Sequence, residues 1–177
     1  DKVEKLKTTN SKIIQYAYEN QLGIKKIHKC CLEAIATKDV DTLLKFLCLK
    51  ATEILGVDVI KIVLSNNTFP GHNIENCILK SDKEITTFCQ KVGITKEKTV
   101  RLKNVVDGKK REDKEIITKE ESTKSEAIIS LFFNNNFKGL VFLESADKST
   151  FSVDQSTDYL DFFAQVISKH MESLLLK

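Results

Sequence analysis

The sequence predicts an α+β domain in which an antiparallel sheet carries the terminal helices on one face. Residues 125–145 read as two apolar runs separated by a polar turn, which is typical of a β-hairpin. The N-terminal and C-terminal segments both show apolar residues at spacings of three and four, which is typical of amphipathic helices. Helices at the two ends with strands between them suit this class. The length of 177 residues is enough for one domain with a full core.

The hairpin is the clearest element of the chain. Its two runs, 125–133 and 137–145, flank three consecutive asparagines at 134–136. Asparagine tolerates the left-handed conformation that a tight hairpin turn needs. Because both runs are apolar almost throughout, rather than alternating, we expect the hairpin to be covered on both faces and to lie in the middle of the sheet.

A long helix is predicted to begin at Ser11, after a polar stretch at 1–10 that we expect to be frayed. Its apolar residues recur at the two-per-heptad spacing of a coiled coil, and we call this set the heptad seam. The heptad seam consists of Ile13, Ala17, Asn20, Ile24, Ile27, Cys31 and Ala34. A second stripe beside it consists of Ile14, Tyr18, Leu22, Leu32 and Ile35.

Two adjacent stripes allow such a helix to contact its own domain with one stripe and a partner with the other. We therefore predict that the first six residues of the heptad seam form a homodimer interface, with Asn20 fixing register. The alternative is one broad face packed on the domain, with Asn20 at its edge. The predicted organisation is a dimerisation helix over 1–36 and a domain over 37–177.

The next elements follow from capping and stop signals. Asp39 is a good N-cap for an amphipathic helix over 40–55, which Gly56 ends. A first strand is predicted over 57–64 and a short second strand over 76–80. Ser81 and Glu84 form a capping box that opens a short helix through Gln90, and Gly93 ends that helix.

The stretch 94–124 gives weaker signals. Residues 100–102 and 104–106 are candidate strand pieces, Asp107-Gly108 is a turn signal, and 115–118 is a candidate short strand within a charged run. Ser152 and Gln155 form a second predicted capping box, which launches the last helix. The apolar face of that helix consists of Leu160, Phe163, Val166, Ile167, His170, Met171, Leu174 and Leu175.

Composition excludes several classes of function. The net charge of +3 is mild, and the basic residues of 96–114 are interleaved with acidic ones and lack aromatic neighbours, which disfavours nucleic-acid binding. No apolar run approaches the roughly 20 residues of a membrane helix, and the first residues do not resemble a signal peptide. The odd number of scattered cysteines, five without a C-x-x-C pair, favours a reducing cytoplasm.

Catalytic and metal-binding patterns are scarce. The chain has no G-x-S-x-G elbow and no phosphate-binding glycine loop. His28 and Cys31 could supply two metal ligands, but a structural zinc site needs four. The adjacent thiols Cys30 and Cys31 diverge by about 100° on a helix, which disfavours a redox pair. We therefore expect no metal, no cofactor and no catalytic residues.

Residues 139–147, followed by Phe151 and the segment Thr157-Asp158-Tyr159-Leu160, resemble an uncharacterised bacterial family, domain-of-unknown-function family 484. The long first helix, Asp39 and the Gly56-Val57-Asp58 segment agree with it, whereas Glu144-Ser145, Thr150 and Ser156 replace the family's Gly-Ser, Arg and Gly. More broadly, the order of elements resembles a GAF-type sensory domain, a relative of the PAS fold.

The resemblance implies a GAF-like fold and dimerisation through helices, and it brings no catalytic residues. Members of the family are often encoded beside a tyrosine recombinase, which indicates no mechanism. In GAF-like domains a ligand lies between the sheet and the small helix with its following loop. Here that pocket would be lined by Phe88, Cys89, Arg101, Phe133 and Phe142, with Arg101 as anion anchor; alternatively, these aromatics simply fill the core.

The predicted function is a cytoplasmic, non-enzymatic regulatory or scaffold domain that dimerises through its first and last helices and acts on a partner protein. Two alternatives stay open. One is a GAF domain that senses a small molecule, and the other is a DNA-associated accessory protein that uses the basic stretch.

Overall fold

A computed structural model describes residues 1–71, 73–105, 116–117, 122–133, 135–153 and 155–176, with Tyr16 and Tyr18 described by their backbone alone. The chain is α+β, with a five-stranded sheet and a long N-terminal helix. The helices are α1 (Lys2–Ile35), α2 (Val40–Lys45), a π-helical turn (Phe46–Lys50), α3 (Ala51–Leu55), α4 (Asp82–Val92) and α5 (Asp158–Leu175). The strands are β1 (Val59–Ser65), β2 (Cys77–Lys80), β3 (Val100–Asn104), β4 (Ser125–Phe133) and β5 (Asn136–Ser145).

The sheet is mixed, with the strand order β2-β1-β5-β4-β3. Strand β2 runs parallel to β1, and the remaining pairs are antiparallel. The prediction of a purely antiparallel sheet is therefore wrong at one edge. The connection over 66–76 carries the chain back along β1, so that β2 starts beside Ile62 and runs in the same direction.

The predicted hairpin is confirmed and lies in the middle of the sheet, where β4 and β5 pair with each other and each has a further neighbour. Asn135 has a φ of 61°, the left-handed conformation expected of the turn. Gly139 is required by close packing, because a Cβ there would lie 2.8 Å from the Val63 carbonyl oxygen.

The two faces of the sheet carry different helices. The terminal helices α1 and α5, together with the 40–55 helical segment, share one core with Ile62, Ile129 and Val141. Helix α4 covers the opposite face and packs on Val63, Ile128 and Phe142. The terminal helices thus lie on one face, as predicted.

Several helix boundaries follow from the predicted caps. Ser81 and Glu84 form the complete capping box of α4, and Asp39 accepts from the Thr42 N–H at 2.7 Å at the start of α2. Gly56 and Gly93 end their helices with φ of 69° and 80°, a conformation that favours glycine.

Other boundaries differ from the predictions. Helix α1 begins at Lys2 instead of Ser11, with the Asp1 carboxylate accepting from the Val3 N–H. Gln155 accepts from the Ser152 N–H at 3.1 Å, but α5 begins only at Asp158. Here the side chain stabilises a local turn, so the pattern did not launch the helix.

Within 94–124 the prediction at 100–102 is confirmed as part of β3. Ile116 and Ile117 are buried against the face of the sheet that α4 covers, but they are not in a strand, which corrects the predicted strand there. Residues 106–115 and 118–121, including the Asp107-Gly108 turn and most of the charged run, lie outside the described residues.

Candidate functional site: the N-terminal arm and its base

Residues 2–22 of α1 project from the domain, and we call this segment the arm. Every arm residue whose side chain is described is exposed. Large aliphatic side chains are among them: Ile13 is 59% exposed and Ile14 is 70% exposed. An exposed aliphatic stripe along a helix is unusual in a soluble monomer, which makes the arm a candidate interaction surface.

The remaining part of α1, residues 23–35, packs on the domain, and we call it the root. Ile27 and Cys31 are buried, at 2% and 6% exposure, in the core that α1 shares with α5. They cannot reach a partner while the domain is folded. Of the predicted dimer interface, Ile27 and Cys31 are therefore corrected to core positions, whereas Ile13, Ala17 and Asn20 are exposed and Ile24 is half-buried.

Three contacts hold the root against α5 and show that the two helices run in the same direction. A Cβ at Gly23 would lie 3.3 Å from the Tyr159 ring, so glycine allows this close approach. The rings of His28 and Phe162 meet edge to face at 6.0 Å. Just beyond the root, His170 Nε2 lies 3.0 Å from the carbonyl oxygen of Thr37 and 3.1 Å from its hydroxyl.

The helical start at Lys2 extends the heptad seam upstream. Val3, Leu6 and Asn10 continue the alternating spacing of three and four residues into Ile13. Val3 and Leu6 are exposed. The prediction of a frayed N-terminus missed these residues, although their spacing was visible in the sequence.

The predicted pocket residues do not converge on one cavity. Phe88 and Phe142 pack with ring centroids 5.8 Å apart, and Cys89 is buried beside them under α4. Arg101 is half-buried on the same side, near the end of α4 at Gly93. Phe133 lies on the opposite face against Phe69, so its assignment to the pocket is corrected. The alternation of β4 sends residues 129, 131 and 133 to one core and 128 to the other.

A cleft of about 250 Å³ lies at the junction of the arm and the root, at a place the sequence did not indicate. Its polar groups come from α1 and from the loop before α5, and its apolar floor comes from the core. It is lined by Glu19, Leu22, Gly23, Lys26, Ile27, Leu55, Gly56, Val57, Leu143, Ser149, Thr150, Phe151, Gln155, Tyr159 and Leu160. Burial raises the pKa of Tyr159. Small-molecule sensing stays a prediction.

Buried charges lie on the α4 side of the sheet. Glu144 is fully buried, with its carboxylate 3.5 Å from the Lys61 ammonium and accepting from the Thr123 hydroxyl at 3.0 Å. Glu126 is directly opposite Glu144 in the β4–β5 register and is also buried. These buried carboxylates need a positively charged partner such as Lys61, because a buried carboxylate without one is strongly destabilising.

The described cysteines have weak chemical reactivity. Burial raises the pKa of the thiols of Cys30, Cys48 and Cys89 to about 12, and those of Cys31 and Cys77 to about 11. Thiolates are therefore rare at neutral pH. Among the described residues, no group of three or more histidine, cysteine or acidic side chains could hold a metal ion. The absence of catalysis and of cofactors stays a prediction.

No protein-family model matches the chain, and no curated protein matches it. The resemblance to the GAF-like family therefore stays a prediction. None of the helices in the described part of the chain has the length and apolar character needed to cross a membrane.

Proposed function

We propose that this protein is a non-enzymatic regulatory or scaffold module that forms a homodimer through its arm. The observation that carries the proposal is the heptad seam of the arm, which no described part of the chain covers and whose Val3, Leu6 and Ile13 are exposed. A second copy offers the same spacing and so supplies a complementary surface.

The burial available is sufficient for association. Each fully buried valine, leucine or isoleucine side chain contributes about 1.5–3 kcal/mol. Each copy contributes Leu6, Ile13 and Ile14, which are each more than half exposed in the single chain. Burying the exposed part of these side chains in both copies gives a combined gain of the same order as the roughly 4–15 kcal/mol that association costs. Asn10 and Asn20 reduce the gain and restrict which alignments of the two helices satisfy their amides.

The way in which the arm is attached to the domain supports a regulatory role. The arm leaves the domain where Gly23 lies close to the Tyr159 ring of α5, and the cleft lies at the same place. A shift of α5 or of the loop before it would therefore change the direction of the arm. In the dimer such a shift becomes a change in how the two arms cross, which a partner protein bound to them would detect.

The test compares two charge substitutions at neighbouring arm positions. Ile13→Asp places a carboxylate in the heptad seam, whereas Lys12→Asp places one on the side of the helix away from it. Both add an aspartate to the same turn, so they share its cost in helix propensity. Light scattering coupled to size-exclusion chromatography should give the mass of a dimer for the wild type and for Lys12→Asp, and that of a monomer for Ile13→Asp.

Circular dichroism should show the same fold in all three proteins, because Ile13 makes no contact with the core. A wild-type protein that is monomeric at high micromolar concentration would contradict the proposal. A dimer that survives Ile13→Asp would place the interface elsewhere.

A further inference from the structure

We infer that the two arms pair in antiparallel orientation, with Leu6 of one copy level with Ile24 of the other. The inference rests on the proposed homodimer and adds the geometry of its interface. It concerns six positions of the heptad seam that lie outside the core or at its edge: Leu6, Asn10, Ile13, Ala17, Asn20 and Ile24.

In this alignment the six positions complement one another. Leu6 meets Ile24, Asn10 meets Asn20, and Ile13 meets Ala17, each pair occurring twice about a two-fold axis near Gln15. The asparagine amides satisfy each other, and the aliphatic layers contain no polar group. A large residue faces a small one in the central layers, which lets the helices approach closely.

The burial of Ile27 limits how far the contact between the two arms extends. The next layer beyond Leu6 and Ile24 would bring Val3 against Ile27 of the second copy. Ile27 is 2% exposed and belongs to the core of its own domain, so it offers nothing to pair with. The antiparallel overlap therefore uses the seam from Leu6 to Ile24, at the start of the root, and stops there.

Residues beside the heptad seam decide between orientations. In a parallel pair, the flanking positions bring Lys2 against Lys7 of the second copy and Thr9 against Ile14. In the antiparallel pair, Ile14 approaches its own counterpart across the two-fold axis, and Lys7 approaches Gln21. Ile14 is 70% exposed in a single chain. The antiparallel orientation buries it and avoids the lysine repulsion, while the opposed helix dipoles add a small favourable term.

Engineered disulfides test the orientation directly. In a parallel pair Leu6→Cys lies opposite itself and forms a homodimer. In the antiparallel pair the two copies of residue 6 are about 27 Å apart, because they are separated by eighteen residues of helix rise. Cysteines can bridge only when their Cα atoms lie within about 7 Å. Leu6→Cys alone should therefore stay uncrosslinked in a glutathione redox buffer, and an equimolar mixture with Ile24→Cys should form a mixed disulfide.

A mixture of Ile13→Cys and Ala17→Cys provides a second antiparallel pair that avoids the half-buried Ile24. Glu4→Cys is the matched control, since it lies beside Leu6 but outside the heptad seam and should crosslink in neither orientation. The wild type controls for the native thiols, which are shielded by burial.

A crosslinked homodimer of Leu6→Cys would overturn the antiparallel assignment and leave the proposed dimer intact. Failure of both mixtures to crosslink, with a dimeric mass in light scattering, would also overturn it. A monomeric mass for the wild type would overturn the proposed function itself, so the two failures are distinguishable.

Discussion

The arm and the root of α1 are two halves of one helix with the same apolar spacing and opposite surroundings. Ile13 and Ile27 occupy equivalent positions of the heptad seam, yet the first is 59% exposed and the second 2%. The difference lies in their neighbours. In the root the small residues Gly23 and Cys30 lie beside the seam and Ala34 lies within it, and they let the rest of the domain approach closely.

In the arm the equivalent position, two heptads before Gly23, is held by Thr9, which is exposed. A heptad spacing therefore identifies the apolar face of a helix but does not determine what covers that face. In this helix the cover comes from the chain's own core only where small residues flank that face.

The largest expected contrast comes from truncating the two equivalent isoleucines. Ile27→Ala should lower the free energy of unfolding by about 2–5 kcal/mol, because it removes buried methyl groups and leaves a cavity. Ile13→Ala should change the unfolding of the domain by about 0.5 kcal/mol or less, since the side chain is exposed in the single chain. Urea denaturation at a low protein concentration, where arm pairing is weak, measures both. Equal losses in the two variants would show that the arm is part of the cooperative core.

Thiol reactivity provides a second contrast between the halves. Burial raises the pKa of Cys31 in the root to about 11, whereas a cysteine introduced as Lys12→Cys is exposed and has an ordinary pKa near 8.5. Mass-spectrometric labelling with iodoacetamide at pH 8 should be about a hundred-fold faster at residue 12 than at residue 31. The rates should converge in urea. Comparable rates in the folded protein would mean that the root opens readily.

Lowering the pH should reduce the stability of the domain and should leave the pairing of the arms unchanged while the domain is folded. The Ser65 hydroxyl and then the Lys138 ammonium, at 3.0 Å, lower the pKa of Asp82 at the start of α4. A lowered carboxyl pKa contributes stability above the unfolded value near 3.9, and that stability is lost as pH falls through the folded value. Because Asp82 is partly exposed, Asp82→Asn should cost about 1 kcal/mol or less at pH 7.

The difference between Asp82→Asn and the wild type should disappear below the folded pKa. Thermal unfolding between pH 7 and pH 2.5 measures this convergence. The dimer mass should not change with Asp82→Asn at any pH at which the domain is folded, because no seam position from Leu6 to Ile24 carries a titratable group. A dimer that weakens in this variant would link α4 to the arm.

The elements that local chemistry determines were predictable from the sequence. The left-handed turn residue Asn135, the Ser81 and Glu84 capping box and the glycines after two helices each depend on contacts within a few residues. Helix α4 and the central hairpin therefore lie where the sequence places them.

Two of the predictions that failed depend on contacts between distant segments. The direction of β2 is set by the path of the 66–76 connection, and the face to which Phe133 points is set by strand register, which no local pattern fixes. Only part of the arm was predicted. The polar residues at 1–10 obscured the heptad spacing of Val3 and Leu6. The burial of Ile27 could not be predicted because it depends on where α5 packs.

The close approach of Gly23 to Tyr159 determines the point about which the arm would tilt. The arm extends about 30 Å beyond Gly23, given the rise of a helix, and is stiff over that length. A tilt of about 10° at this point would swing the tip of the arm by about 5 Å. In the proposed dimer, the helix would therefore act as a lever that amplifies small movements of the domain at a distance from it.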